Sequence, residues 1–343
     1  MSTWRMPIEG HEQERLWLAW PTSGYTLGDT EAEVEEARST WAAVANAASE
    51  HEAVTVVVNP GDEAVASRYL SAQIDQLSAP LDDAWMRDIG PSFVIGDDGV
   101  LGAVNYRFNG WGGQDWASWE HDQHIGRIVA EAAGAELINS DMTNEGGGIQ
   151  VDGTGRVVIT KTVQLDPGRN PGWTREQVEA ELLRTIGADS ALWLPRGLTR
   201  DHDTFGTRGH SDILAAFTTP EVLLMHRQDA TSHPDHLIAK TNREVADEYR
   251  SNTSGRFEII DLPAPEALRD DEGFVDYSYI NHVVINGAVL ACAFDDPADD
   301  RALATLREVY PGREVIGIDA RPLFARGGGI HCITQQQPKV AAR

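Results

Sequence analysis

The chain has 343 residues, with Lys+Arg 28 against Asp+Glu 54 and a formal net charge of -26 at pH 7. Phosphate binding needs clustered cations, so this balance argues against a nucleic-acid partner and for a cationic one. Hydrophobic residues make up 41% of the chain, and a chain of this length buries about three quarters of its unfolded surface, so a substantial core is expected and disorder is not.

The N-terminal stretch Met1–Gly10 lacks a basic segment followed by an apolar run, and no apolar run reaches the ~18 residues of a membrane span. The only cysteines are Cys292 and Cys332, which offer no disulfide framework or zinc-ribbon spacing. A cytoplasmic protein with no membrane partner is the expectation.

The first clear element is an amphipathic helix from Asp29 to about Glu50, with Val34, Ala37, Trp41, Val44, Ala45 and Ala48 on one face. The β-branched run Ala53–Val58 reads as a buried strand closed by Asn59–Gly61, and a second helix is expected over Glu63–Leu77. Beyond Pro91 one order of elements recurs: a hairpin, a helix, then a strand. The hairpins are Phe93–Ile95 with Val100–Phe108, Ile149–Val151 with Arg156–Thr162, Ile213–Phe217 with Val222–His226, and Tyr279–Ile285 with Ala288–Phe294. Their helices fall at Trp116–Ala133, Thr174–Ile186, Pro234–Tyr249 and Ala298–Val309. The closing strands fall at Glu136–Ile138, Ala191–Leu194, Glu258–Leu262 and Glu314–Ile318.

The leftovers make a fifth unit if Ile330–Thr334 pairs with Leu16–Trp20, which closes the chain into a ring and removes terminal sheet edges. A single cyclic α/β domain over residues 1–343 is therefore favoured over two domains, with an ordinary α+β protein rich in hairpins as the alternative. The tail from Lys339 to Arg343 is expected to fray.

Five loops look unlike ordinary turns: Trp85–Pro91, Asn109–Gly113, Asn144–Gly148, Arg208–Asp212 and Arg326–Cys332. In a ring they converge on one mouth. Cys332 follows a glycine run and precedes the polar run Thr334–Gln337, as a placed nucleophile would; it could equally be a small buried apolar residue. Cys292, inside Val289–Phe294, reads as core. A reactive thiol needs a proton acceptor or a nearby cation, and His210 is the best candidate, although a structural role for it stays open. His331 neighbours the thiol, but successive side chains of a strand point to opposite faces, which makes it the weaker partner. His226, His233 and His236 match no standard zinc spacing.

Asp88, Glu145 and Asp212 occupy the same Gly-rich settings. Gathered carboxylates repel one another unless a cation neutralises them, so they point to a cationic substrate or, alternatively, to a hard metal. Trp85 and Trp111 could wall such a site. No glycine run has the Lys-Ser/Thr or G-x-G-x-x-G pattern of a phosphate loop, so nucleotide binding is disfavoured.

The chain resembles the agmatine deiminase family, itself similar to the bacterial peptidylarginine deiminases and other guanidine-modifying enzymes. The resemblance rests on Met6, Pro7 and Glu9 with Leu16–Pro21, Trp85–Asp88, Phe108–Gly113, Asn144–Gly147, Asn170–Pro171, Trp193–Gly197, Gly209–Asp212 and Gly328–Pro338, and covers nearly the whole chain. It implies a pentein-like five-bladed α/β propeller, in agreement with the repeat. It also implies that Cys332 is the nucleophile, His210 the general acid and base, and Asp88, Glu145 and Asp212 the guanidinium ligands, with neither metal nor organic cofactor. The implied reaction is deimination of agmatine to N-carbamoylputrescine in polyamine biosynthesis, with a homodimer as the expected assembly.

Departures from the family pattern bear on the substrate's tail. Asp201–Arg208 replaces a short acidic stretch, and an inward Arg208 would oppose a terminal ammonium and favour free or peptide-terminal arginine or another guanidino acid; it could instead face solvent or pair with Asp201 or Asp203. Gly329 stands where the family has Asn, and Gly10 where it has Trp. Gly329 and Arg208, with Trp85 and Trp111, are the expected substrate-binding positions. A non-catalytic binding protein for polyamines or guanidines is the reading from another class.

Overall fold

The computed structural model describes residues 3–253 and 257–341. Its strands make five mixed sheets and a two-stranded ribbon, Arg269–Asp270 with Gly273–Phe274. Each of the five sheets contains the same motif, an antiparallel pair whose second strand is flanked by a parallel one. The motif runs through Ser92–Gly96, Leu101–Arg107 and Glu136–Thr143; Gln150–Val151, Arg156–Thr160 and Ser190–Leu194; Ala215–Thr219, Val222–Arg227 and Glu258–Pro263; and Val283–Ile285, Ala288–Ala293 and Glu314–Asp319. The fifth joins the two ends of the chain: Thr334–Pro338 lies antiparallel to Gln13–Ala19, with Thr334 opposite Leu18, and Gln13–Ala19 runs parallel to Ala53–Val58.

The helices of these units close on sequence-encoded caps. In Glu31–Ser49, Thr30 accepts from the Glu33 N–H at 3.2 Å while Glu33 Oε2 accepts from the Thr30 N–H at 2.9 Å, two otherwise orphaned donors satisfied at once. Arg175–Ile186 repeats the device with Thr174 and Gln177 and stops at Gly187 in the left-handed region (φ 69°). Ala37, Trp41, Val44, Ala45 and Ala48 are buried against the sheet strands Leu16–Ala19 and Val54–Val58.

Five sequence expectations shift. Helix over Glu63–Leu77 is confined to Glu63–Ala66, and Asp75–Ser78 is instead a strand parallel to Ala53–Val58. The sheet edge offered unpaired backbone groups, and Asn46 Oδ1 takes the Ser71 N–H at 2.8 Å and turns the chain there. Helix over Trp116–Ala133 begins only with a 3-10 turn at Asp122–His124 and continues as Ile125–Ala132, because Trp116 is held instead by stacking on Trp111 (centroids 5.2 Å) and by donating to Gln114 Oε1 at 3.1 Å. The closing strand starts at Thr334, where it was expected to end, so Cys332 lies in a turn ahead of the strand. The polar run is buried after all: Gln335, Gln336 and Gln337 are in the interior, and Gln337 Oε1 accepts from Trp17 Nε1 at 3.0 Å. Lys339 is tied to Glu12 by a backbone bond of 2.8 Å and an ion pair of 2.6 Å rather than fraying; Ala342 and Arg343 lie outside the described residues.

Candidate active site

Each unit contributes a polar residue from the same place, a few positions ahead of the first strand of its antiparallel pair. These are Asp88 before Ser92, Glu145 before Gln150, His210 and Asp212 before Ala215, Asn281 before Val283, and Cys332 before Thr334. All are buried, His210 to 1% exposure and Cys332 to 4%.

Local backbone chemistry delivers each side chain. Asp88 sits in the turn Met86–Ile89, and the Arg87 N–H donates to the Cys332 carbonyl at 3.1 Å, tying the acid to the thiol's own turn. Asp201 accepts from the Thr207 N–H and hydroxyl, both at 2.7 Å, and Thr207 Oγ1 accepts from the His210 N–H at 3.1 Å, so the long loop folds on its own carboxylate and ends by placing the imidazole. Trp111 (φ 55°) lies in a left-handed turn with Gly110, Gly112 and Gly113, a conformation that glycine permits and tryptophan resists. Its indole N–H donates to Asp88 Oδ2 at 2.8 Å, which holds the ring there.

Gly147 explains the glycine run ahead of the second sheet. A Cβ at this position would lie 2.4 Å from His210 Nδ1 and 3.0 Å from Asp88 Oδ1. The run exists so that backbone can pass beside the acid and the imidazole, and its own N–H donates to Asp88 Oδ1 at 3.3 Å.

His210 Nε2 donates to Glu145 Oε2 at 3.1 Å, and its Nδ1 faces Asp88 Oδ1 at 3.8 Å. Burial opposes the charged imidazole, yet Asp88 and Glu145 hold its pKa at about 9. Glu145 also faces Burial, which is outweighed by Arg169 and His210, and its pKa falls to about 2. Arg169 Nε lies 3.0 Å from each Glu145 oxygen, and the rest of its guanidinium binds Asp166 at 2.9 Å and the Thr207 carbonyl at 2.7 Å. Burial lifts Asp88 to about 6, with Glu145 and Asp212 adding repulsion against the pull of His210. Cys332 Sγ lies 3.5 Å from Asp212 Oδ2 and accepts from Asn281 Nδ2 at 3.3 Å. Burial, then Asp212 and Asp88, push the thiol well above its ordinary value, so it rests protonated.

Asp88, Glu145, His210, Asp212 and Cys332 are thus brought together by direct contacts or close approach, while Arg208 and Gly329 are held by other neighbours. Arg208 forms no ion pair with Asp201 or Asp203 among the described residues; its guanidinium lies 3.4 Å from Asp166 Oδ2, the carboxylate that already holds Arg169, and is about a third exposed. Asp201 cannot serve it because that carboxylate is consumed by Thr207. Gly329 is buried beside the thiol, where its backbone hydrogen-bonds Cys332 and a Cβ would lie 2.4 Å from Asn281 Oδ1. Trp85 is buried beside Gly328 and donates to the Tyr25 hydroxyl at 3.0 Å. Asn281, Arg169 and the role of Glu9 were missed from sequence. Asn281 could have been found by asking which residue of the fourth hairpin unit occupies the place that Asp88, Glu145 and Asp212 hold in theirs. Among the described residues no group of three or more His, Cys, Asp or Glu side chains is disposed to hold a metal ion, and no helix is long and apolar enough to cross a membrane.

The family model for Porphyromonas-type peptidyl-arginine deiminase matches residues 5–338. The agmatine deiminase of Stutzerimonas stutzeri is 35% identical over 363 aligned positions, covering 97% of this chain and 95% of its own. The chain belongs to this deiminase family. A Streptomyces coelicolor relative is 50% identical over 338 residues, covering 98% of this chain and 99% of its own length. The solved agmatine deiminase of Enterococcus faecalis superposes with a TM-score of 0.89 at 28% identity, covering 98% of this chain and 96% of that one. The family's fold is of the pentein type.

Proposed function

We propose that this deiminase-family chain hydrolyses agmatine to N-carbamoylputrescine and ammonia, with Cys332 as nucleophile, His210 as proton shuttle, and Asp88, Glu145 and Asp212 around the guanidinium. The observation that carries the reading is the buried thiol 3.5 Å from Asp212, in a chamber shared with an imidazole held by Glu145 at 3.1 Å. Relatives of similar length named agmatine deiminase support the substrate.

Charge balance gives the chamber its logic. Beside the resting thiol stand the anions Asp88 and Asp212 and the cation Arg87, coupled in turn to the anions Glu9 and Glu145 and the cations Arg169, His210 and His331. A guanidinium brings one more positive charge into a dry site, where a unit pair about 4 Å apart is worth on the order of 4 kcal/mol at an effective dielectric near 20. Loss of the Cys332 proton to solvent restores the balance, so the substrate itself makes the nucleophile. Its sulfur bonds to the guanidinium carbon, His210 gives a proton to the departing nitrogen, and ammonia leaves a thiouronium on Cys332. Water then passes a proton to His210 and bonds to the same carbon. The C–S bond breaks, the thiolate returns, and a ureido product remains.

The five repeated sheets, with Thr334–Pro338 paired to Gln13–Ala19, support a closed five-bladed ring and a single domain. Two unpaired cysteines fit a reducing, cytoplasmic setting. The test is steady-state ammonia release from agmatine and from arginine, with intact mass read on a His210 variant to trap the adduct. Agmatine turnover abolished in Cys332→Ala is expected; an unaltered rate in that variant rules out the assigned nucleophile.

A further inference from the structure

The imidazole next to the nucleophile does not serve the sulfur. His331 Nδ1 lies 2.8 Å from Asp212 Oδ2, and its Nε2 lies 3.0 Å from Glu9 Oε2. Glu9 comes from the opposite end of the chain, and its other oxygen accepts from the Val284 N–H at 2.8 Å. Carboxylates only accept, so a ring with one on each nitrogen fills both bonds only as an imidazolium donating at both ends. The Gln150 amide nitrogen, 3.5 Å from Nε2, is too distant to compete. Asp212 Oδ1 is buried with no protein partner, while Oδ2 is taken by His331. The carboxylate therefore keeps one buried oxygen unsatisfied, and it is close enough to Asp88 and His210 to act on both electrostatically.

We infer that His331 and Glu9 are positioning residues: together they fix Asp212 in one orientation as an anion, leaving Oδ1 free for the substrate's guanidinium. The inference rests on the deiminase reading for the substrate but not for the charge state. Other charged or titratable groups near the ring include Arg87, whose Nε donates to the His331 carbonyl at 3.2 Å, His282, and the Cys332 thiol on the same Asp212 oxygen. Burial and Arg87 work against the charge on His331, and Glu9 and Asp212 outweigh them, so its pKa is raised. For Glu9, His331 and Arg87 outweigh burial and bring it to about 2.

Two measurements test this. Nitrogen-15 spectra of histidine-labelled protein, with His331 assigned by its substitution, should show both ring nitrogens protonated at pH 7, and Glu9→Gln should lower the pH at which that signature is lost. In His331→Gln and Glu9→Gln, KM for agmatine should rise on the order of tenfold, the value of one charge-assisted hydrogen bond. A loss of folded fraction lowers apparent kcat and leaves KM alone, so the KM rise separates positioning from a structural role. A neutral His331 at pH 7, or unchanged KM in both variants, overturns the inference. Should the unaltered enzyme fail to turn over agmatine, the proposed substrate falls and the nitrogen spectra still decide the imidazolium.

Discussion

Gly147→Ala is the most direct probe of the site's packing. The added methyl group would lie 2.4 Å from His210 Nδ1 and 3.0 Å from Asp88 Oδ1, against an ordinary contact near 3.4 Å. The imidazole must therefore retreat by about 1 Å, and a misplacement of that size costs on the order of 10²-fold in rate, about 2.7 kcal/mol of barrier. His210 cannot absorb the shift freely, because its Nε2 is bound to Glu145 at 3.1 Å and Glu145 is clamped by Arg169. Stability should suffer far less: overpacking costs about 1–3 kcal/mol, and Gly→Ala returns about 0.4–1 kcal/mol through the unfolded chain. The assay is kcat/KM for ammonia release from agmatine beside a thermal melt. Gly10→Ala serves as the control, since the nearest atom to its Cβ is Arg313 Nη2 at 3.7 Å. A folded Gly147→Ala enzyme within threefold of the parent would refute the close packing of acid, imidazole and backbone.

Free Cys332 should react slowly with iodoacetamide at neutral pH, because burial and then Asp212 and Asp88 keep the thiol protonated, and Asp212→Asn should speed alkylation; an equal or slower rate in that variant removes the electrostatic cause. Stability should peak in mildly acidic to neutral solution. Glu9 and Glu145, lowered from 4.5 to about 2, contribute stability above pH 4.5 that is lost as pH falls toward 2, whereas His210, raised from 6.5 to about 9, contributes below pH 6.5 and loses its share as pH rises through 9. Urea midpoints from pH 3 to 10 check this, and a midpoint still climbing between pH 7 and 10 contradicts the assignment for His210. Arg208→Ala should leave the ratio of agmatine to arginine turnover within about threefold of the parent, since Asp166 already holds that guanidinium and an exposed ion pair is worth little; selective loss of arginine turnover would show that the side chain reads the substrate's tail.

Much of the architecture was legible along the chain because it is written locally. The capping residues Thr30, Glu33, Thr174 and Gln177, the β-branched run Ala53–Val58 and the turn at Asn286 and Gly287 act within a few residues of themselves, and the recurring hairpin, helix and strand follow from them. Glu145 and Cys332 stood out because glycine runs mark where backbone must crowd. Segments that failed did so where a distant partner outweighed local preference. Asp75–Ser78 became a strand to cover an open sheet edge, and Trp116 left a helix to stack on Trp111.

The sequence by itself determined the repeated hairpin, helix and strand and the pairing of the chain's two ends, and it singled out the polar residues proposed to react, because periodicity and residue chemistry act at short range. Only the tertiary structure decided which cation meets which anion. Arg208 goes to Asp166, Arg169 to Glu145, and His331 stands between Glu9 and Asp212, partners that lie 322 and 119 positions away along the chain. Coulomb attraction and burial depend on separation in space, and that separation is set only when the two ends of the chain join in one sheet.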